Sequence, residues 1–182
     1  MLRRIRAISH SVPLSLVKHL VTSLVLSRLD YVISAHAGLP NSTLSRLQRV
    51  LTAAARITCG ATRYDSVKPL LHHLNWLPIQ GRIDYRLAIL AFNCQQNRAP
   101  TYLSMELTEV ASLSARKRLR SASSGLLSRP RVRCPTLGGR AFLSTSASVW
   151  NSLPSSVSSQ SDFLVFKKLC KSTFIAKYFI EC

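Results

Sequence analysis

Acidic side chains are scarce: seven Asp and Glu stand against 25 Lys and Arg in 182 residues. The seven (Asp30, Asp65, Asp84, Glu106, Glu109, Asp162 and Glu181) are scattered, with no adjacent pair. Nucleotidyl transfer needs carboxylates close enough to hold divalent metals and neutralise developing charge. That chemistry is therefore excluded, and no catalytic residue is assigned. Cysteine is also sparse and unpaired in pattern. Cys59, Cys94, Cys134, Cys170 and Cys182 form an odd set with no C-x-x-C, which argues against a disulfide framework and against a zinc ribbon. A reduced, intracellular setting follows, nuclear or cytoplasmic. His72 and His73 are neighbours, so on a helix they point about 100° apart, and no Cys or carboxylate joins them at ligand spacing. Gly138-Gly139 lacks the Lys-Ser/Thr of a phosphate loop, and no G-x-S-x-G elbow marks a nucleophile. Neither a metal, a cofactor nor a small-molecule substrate is expected.

A long uninterrupted apolar run is missing as well. Val12 to Leu29 comes nearest but contains Lys18, His19 and Arg28. A Lys or Arg at the centre of a span costs about 2.5–3.5 kcal/mol, so this is a core helix and not a membrane span. The opening Met1–Ser9 is Arg-rich and acid-free, a composition shared by mitochondrial presequences, which stand as the alternative address.

What is abundant is positive charge and apolar surface. A net charge of +18 exceeds what solubility requires and points to a polyanionic partner, nucleic acid before an anionic membrane. With 47% hydrophobic residues the chain can bury a core.

Helical spacing dominates the first part. Leu14, Val17, Val21, Leu24 and Val25 follow Pro13 as one long helix stopped by Gly38-Leu39-Pro40. Asn41 or Ser42 caps a second, whose apolar face comprises Leu44, Leu47, Val50, Leu51, Ala54 and Ile57, and Gly60 ends it. Its other side carries Arg46, Arg49 and Arg56 close to one line, the geometry for following a phosphate backbone or, equally, for a solvated face. A short helix leads through Leu70 and Leu74 to the Trp76-Leu77-Pro78 turn. The next helix carries Ile79, Ile83, Leu87, Leu90 and Ala91 inward, with Arg82 and Arg86 on a flank. Tyr64, Trp76, Tyr85, Tyr102, Phe142 and Trp150 are aromatics able to stack on bases, of which the two tryptophans are expected inside.

Beyond Val110 no acid appears until Asp162, and Arg116-Lys117-Arg118-Leu119-Arg120 concentrates charge in a linker or flexible arm. A small hairpin is expected from Leu126 to Phe142 around Gly138-Gly139, then a short helix bearing Trp150 and a last amphipathic helix with Phe163, Phe166, Leu169, Cys170, Phe174 and Ile175. The expected architecture is mainly α: a helical bundle over residues 1–109, a basic linker over 110–125, and a small α+β region over 126–182.

Words spread along nearly the whole chain carry a resemblance. They are Leu2-Arg3-Arg4-Ile5-Arg6, Leu26-Ser27-Arg28-Leu29-Asp30-Tyr31, Gly38-Leu39-Pro40, Leu47-Gln48-Arg49-Val50 with Ala54-Ala55-Arg56, and Tyr64-Asp65-Ser66-Val67. Leu74-Asn75-Trp76-Leu77-Pro78-Ile79, Arg82-Ile83-Asp84, Ala99-Pro100-Thr101-Tyr102-Leu103, Gly139-Arg140-Ala141-Phe142 and Trp150-Asn151-Ser152-Leu153-Pro154 follow in order. Together they resemble the region downstream of the palm in LINE-type, non-LTR retrotransposon reverse transcriptases. The resemblance implies a helical thumb over about Leu2 to Leu107 that grips a template-primer duplex, with fingers, palm and catalytic aspartates supplied upstream in the parent protein. It strengthens Arg46, Arg49 and Arg56 as contacts to the duplex backbone and leaves the role of the tail from Arg116 to Trp150 undefined; Arg82, Arg116, Lys117, Arg118 and Arg120 are candidate contacts to nucleic acid by their charge. The family word Leu-Asp-Tyr-Cys is broken at Val32. A protein-protein interaction module and a transposon-derived remnant without function are the alternatives.

Overall fold

The seventeen-residue helical run from Leu14 to Asp30 is not a plain α-helix. In the computed structural model, which describes residues 1–112, 125–130 and 138–179, α1 (Leu2–Ile8) is followed after a turn by α2 (Leu14–Val21), which continues without a break into a π-helical turn (Thr22–Leu26) and α3 (Ser27–Asp30). The hydroxyls of Thr22 and Ser23 donate to the carbonyls of Lys18 and His19, both at 2.8 Å. Such back-bonding competes with the backbone N–H for the same carbonyl and suits a widened turn. Widening also shifts the register. Val17, Val21, Val25 and Leu26 are buried, whereas Leu24, expected on the apolar face, is rotated out to 39% exposure. The run ends at Tyr31 (extended) and Val32, whose φ of 53° is left-handed.

Prolines begin several helices by one device. Pro13, Pro40, Pro100 and Pro154 precede α2, α4 (Asn41–Cys59), α7 (Thr101–Ser104) and α9 (Ser155–Ser158), each with φ near −58° and ψ near 145°. The ring fixes φ and leaves no N–H to orphan, while the carbonyl accepts the first helical amides. Thr43 and Leu44, for example, donate to the Pro40 carbonyl at 2.9 and 3.2 Å. So Pro40, and not Asn41 or Ser42, caps α4, and no side-chain cap bond forms. At its other end Gly60 takes φ 63°, and the Ala61 amide returns to the Arg56 carbonyl at 2.9 Å. This left-handed residue lets the chain reverse and closes the helix end with a bond back to its last turn. Asn75 (φ 58°) ends α5 (Val67–His73) in the same way, with the Trp76 amide on the Leu71 carbonyl at 2.9 Å.

Contacts divide the chain into two units: Met1–Arg82 with the chain from Ile175, and Ile83–Phe174. In the first, α1, α2 and α5 pack on α4. The buried face of α4 is Leu51, Ala54, Ala55 and Thr58; two adjacent alanines allow close approach, and Val50 stays exposed. The Gln48 side chain accepts the Ile79 amide at 2.9 Å and so fixes the start of α6 (Ile79–Gln95). Gly81 is close-packed under the Tyr178 ring, which an added Cβ would meet at 3.0 Å. Trp76 is buried here.

The second unit is built round aromatics. Phe92 of α6 stacks on Phe166 of α10 (Phe163–Phe179) at 4.3 Å, and Trp150 of α8 (Phe142–Asn151) lies 5.8 Å from the same ring. The indole N–H donates to the Gly125 carbonyl at 3.1 Å, satisfying the polar end of a buried Trp. Asn151 brackets Leu127: its Oδ1 accepts the Leu127 amide and its Nδ2 donates to the Leu127 carbonyl, both at 2.9 Å.

The protein is mainly helical, and the described residues contain no strand. The expected hairpin is corrected accordingly. Leu127 forms an isolated antiparallel bridge with Glu109, with the Val110 amide on the Leu126 carbonyl at 2.9 Å and the Ser128 amide on the Thr108 carbonyl at 2.8 Å. Asn151 occupies the Leu127 groups that a hairpin partner would use, and Gly138–Arg140 is a 3-10 turn leading into α8. Residues 131–137 of the proposed hairpin lie outside the described residues. Among the described residues no helix is long and apolar enough to cross a membrane.

Candidate nucleic-acid interface

Burial of Leu51, Ala54, Ala55 and Thr58 dictates which way the rest of α4 faces. Arg46 and Arg49 fall on the opposite side and are exposed. Neither meets a carboxylate among the described residues. Arg56 continues the line at ten residues from Arg46, about 15 Å along the axis at roughly 1.5 Å per residue.

Arg56 is half-buried and its guanidinium is fixed. One Nη2 hydrogen goes to the Asp65 carbonyl at 3.2 Å, and Nε is buried with no partner among the described residues. It forms one wall of a cleft of about 490 Å³, whose other lining includes Arg6 and Ser9 at the end of α1, the following His10, and Thr62 and Arg63 beyond Gly60. Asp65 stands on the same loop, but its Oδ2 accepts from both the Thr62 amide and the Thr62 hydroxyl, the latter at 2.9 Å. Those bonds, with the Arg56 charge adding to them, hold the Asp65 carboxyl below its ordinary range. Tyr64, between Arg63 and Asp65, is 91% exposed.

Arg82 is differently placed. Its Nη1 donates to both oxygens of Asp30, at 2.7 and 2.8 Å, and its Nε to the Leu77 carbonyl at 3.0 Å. This cation is engaged within the protein, on a side chain only 12% exposed. Arg116, Lys117, Arg118 and Arg120 lie outside the described residues.

The aromatics separate as clearly. Trp76 and Trp150 are buried, as their turn positions suggested. Tyr85 is half-buried and its phenol is pushed up to about 12, first by burial. Tyr64 and Tyr102 remain exposed.

Sequence spacing singled out Arg46, Arg49 and Arg56 but not Arg6, His10 and Arg63, which line the cleft beside Arg56 because α1 packs on α4 and the chain reverses at Gly60. A usable signal existed: a basic-aromatic pair, Arg63-Tyr64, just past a helix-ending glycine. Among the described residues no group of three or more His, Cys, Asp or Glu gathers where a metal could sit. Chemically, the arrangement offers cations to an anion: one held guanidinium, Arg56, and exposed ones at Arg6, Arg46, Arg49 and Arg63, each a planar group able to donate paired hydrogen bonds to phosphate oxygens. No protein family, curated protein or solved structure matches the chain.

Proposed function

We propose that the chain is a non-catalytic, thumb-like piece of a LINE-type reverse transcriptase that binds the phosphate backbone of a nucleic acid without base specificity. The observation that carries the reading is the basic face of α4, where exposed Arg46 and Arg49 lead to Arg56 and a cleft edged by Arg6 and Arg63. The resemblance of the ordered sequence words supports the origin. The net charge of +18 supports a polyanionic partner. The basic linker with Arg116, Lys117, Arg118 and Arg120 adds electrostatic attraction to the same partner.

If those five arginines each neutralise one phosphate of B-DNA, log K falls against log salt with a slope of about −4.5. Between 50 and 200 mM salt that is a loss of roughly 500-fold. Fluorescence anisotropy with duplex DNA, RNA and hybrid at several salt concentrations measures it. Tight binding indifferent to salt, or no binding at the lowest salt, rejects the reading.

A second reading has its own observation. Met1, Leu24 and Val50 are exposed around an apolar groove completed by Leu2, Val25 and Leu29. Apolar surface of this kind suits docking on protein, the upstream palm of the parent polypeptide in the first instance. A monodisperse monomer by light scattering, with no binding of a palm-containing fragment, counts against it.

A further inference from the structure

Resting on the backbone-binding reading above, we propose that the cleft between the ends of α1 and α4 seats a terminal phosphate monoester of a nucleic-acid strand, with Tyr64 as the platform for the adjoining base. Charge density separates this recess from the open flank of α4. Arg46 and Arg49 present their charges along an exposed surface, as suits successive phosphodiesters of one charge each. In the cleft, Arg6, Arg56 and Arg63 line one half-open volume together with His10. A phosphate monoester carries about −1.5 to −2 at neutral pH and offers three acceptor oxygens, so it matches a cluster of cations better than a diester does.

Arg6 and Arg56 stand in the last turns of their helices, where they also offset the negative helix ends. Each end amounts to about half an elementary charge, so an excess of positive charge remains, and Arg63 lies outside both helices. Arg56 is already held by the Asp65 carbonyl through Nη2, which orients its guanidinium in the cleft wall. An immobilised cation needs little reorganisation to receive an anion. The neighbouring carboxylate, Asp65, is turned onto Thr62 by two hydrogen bonds. The cleft's roughly 490 Å³ falls in the range of about 300–1,000 Å³ typical of small-ligand sites, enough for a phosphate with its sugar. Tyr64 lies outside the cleft lining but follows Arg63 directly in the chain, and its almost wholly exposed ring is available to stack on the base next to a phosphate held there.

The test compares one short single strand bearing a 5′-phosphate, a 3′-phosphate or only hydroxyl ends, titrated against the full chain by anisotropy at fixed salt. One phosphorylated end should bind about tenfold tighter than the hydroxyl strand, the scale of an added charge-assisted contact. Arg63→Ala, an exposed position that leaves the fold intact, should abolish that gain, and Tyr64→Ala should reduce it. Arg46→Ala with Arg49→Ala should weaken all three strands alike. Millimolar inorganic phosphate should compete away the gain and nothing more. Equal affinity for all three strands, with a steep salt dependence retained, overturns the terminal-phosphate site and leaves backbone binding standing. Binding of inorganic phosphate without any gain from a phosphorylated end overturns it in favour of a free-anion site. Absence of binding to every strand at low salt overturns both readings.

Discussion

Replacing Asp30 by Asn should destabilise the protein by about 2 kcal/mol, and the figure can be worked from the geometry. Arg82 Nη1 reaches the two carboxylate oxygens at 2.7 and 2.8 Å while Nε holds the Leu77 carbonyl at 3.0 Å. An ion pair exposed on both sides contributes about 0.2–1 kcal/mol. Removing one partner of a fully buried pair costs about 3–5 kcal/mol, because the remaining charge is stranded. Here the guanidinium side is 12% exposed and the carboxylate side 48%, so the loss falls between those limits. For a chain of this size about 2 kcal/mol lowers Tm by roughly 4–8 °C. Urea and thermal unfolding of Asp30→Asn, Arg82→Met and the double variant give the coupling energy. Arg82→Lys should fail to restore stability, since one ammonium cannot reproduce the forked contact with Asp30 and Leu77 together. In 1 M NaCl the coupling should shrink only in part, as the Arg82 side is shielded from screening ions. A coupling below about 0.5 kcal/mol would refute the reasoning and mark the pair as an ordinary surface contact. The same geometry predicts that Arg82 contributes less to nucleic-acid affinity than Arg46 or Arg49, because its charge is already compensated.

Val32→Asn should stabilise by about 1 kcal/mol, read as a higher urea midpoint, because a β-branched residue at φ 53° is strained and an Asn is not. Asn151→Ala should cost about 2 kcal/mol by leaving both buried backbone groups of Leu127 without partners, and hydrogen exchange at the Leu127 amide should accelerate; unchanged protection there would contradict the bracket. The Cys170 thiol is pushed up to about 12 by burial from an ordinary 9.0, so the folded state keeps its proton while the unfolded thiol has lost it. Its contribution is therefore complete below pH 9 and is lost as pH rises from 9 towards 12, at up to about 1.4 kcal/mol per pH unit. Cys170→Ala should flatten stability-pH curves over that window, and parallel curves would count against the burial argument.

Much of the local structure was legible because it depends on neighbours in sequence. Gly60 and the spacing of Leu51 and Ala54 specify where α4 stops and which face it buries, whatever it packs against, whereas its start lies one residue before the expected polar cap would place it, because Pro40 serves there. Trp76 and Trp150 are inside, as apolar anchors beside prolines should be. Leu24 was misplaced because the expected face assumed a uniform helical period, and the π-turn at Thr22–Leu26 breaks it. The hairpin failed for a different reason. Alternation and a Gly-Gly pair say that a segment can pair, not with whom, and Leu127 finds Glu109 and Asn151 instead.

The sequence by itself determined the large positive charge, the scatter of the carboxylates and the helical character, since each is a matter of composition or short-range period. Only the tertiary structure decided which arginines remain open to a partner. Arg82 and Arg46 look alike on their helix flanks, yet Asp30, 52 residues away, takes up one, and no carboxylate among the described residues reaches the other. Arg6, Arg56 and Arg63 come to one cleft because α1 packs on α4 and Gly60 reverses the chain. The reason is physical: the effective charge of a side chain depends on the groups within a few ångströms of it, and chain folding, not sequence distance, brings those groups there.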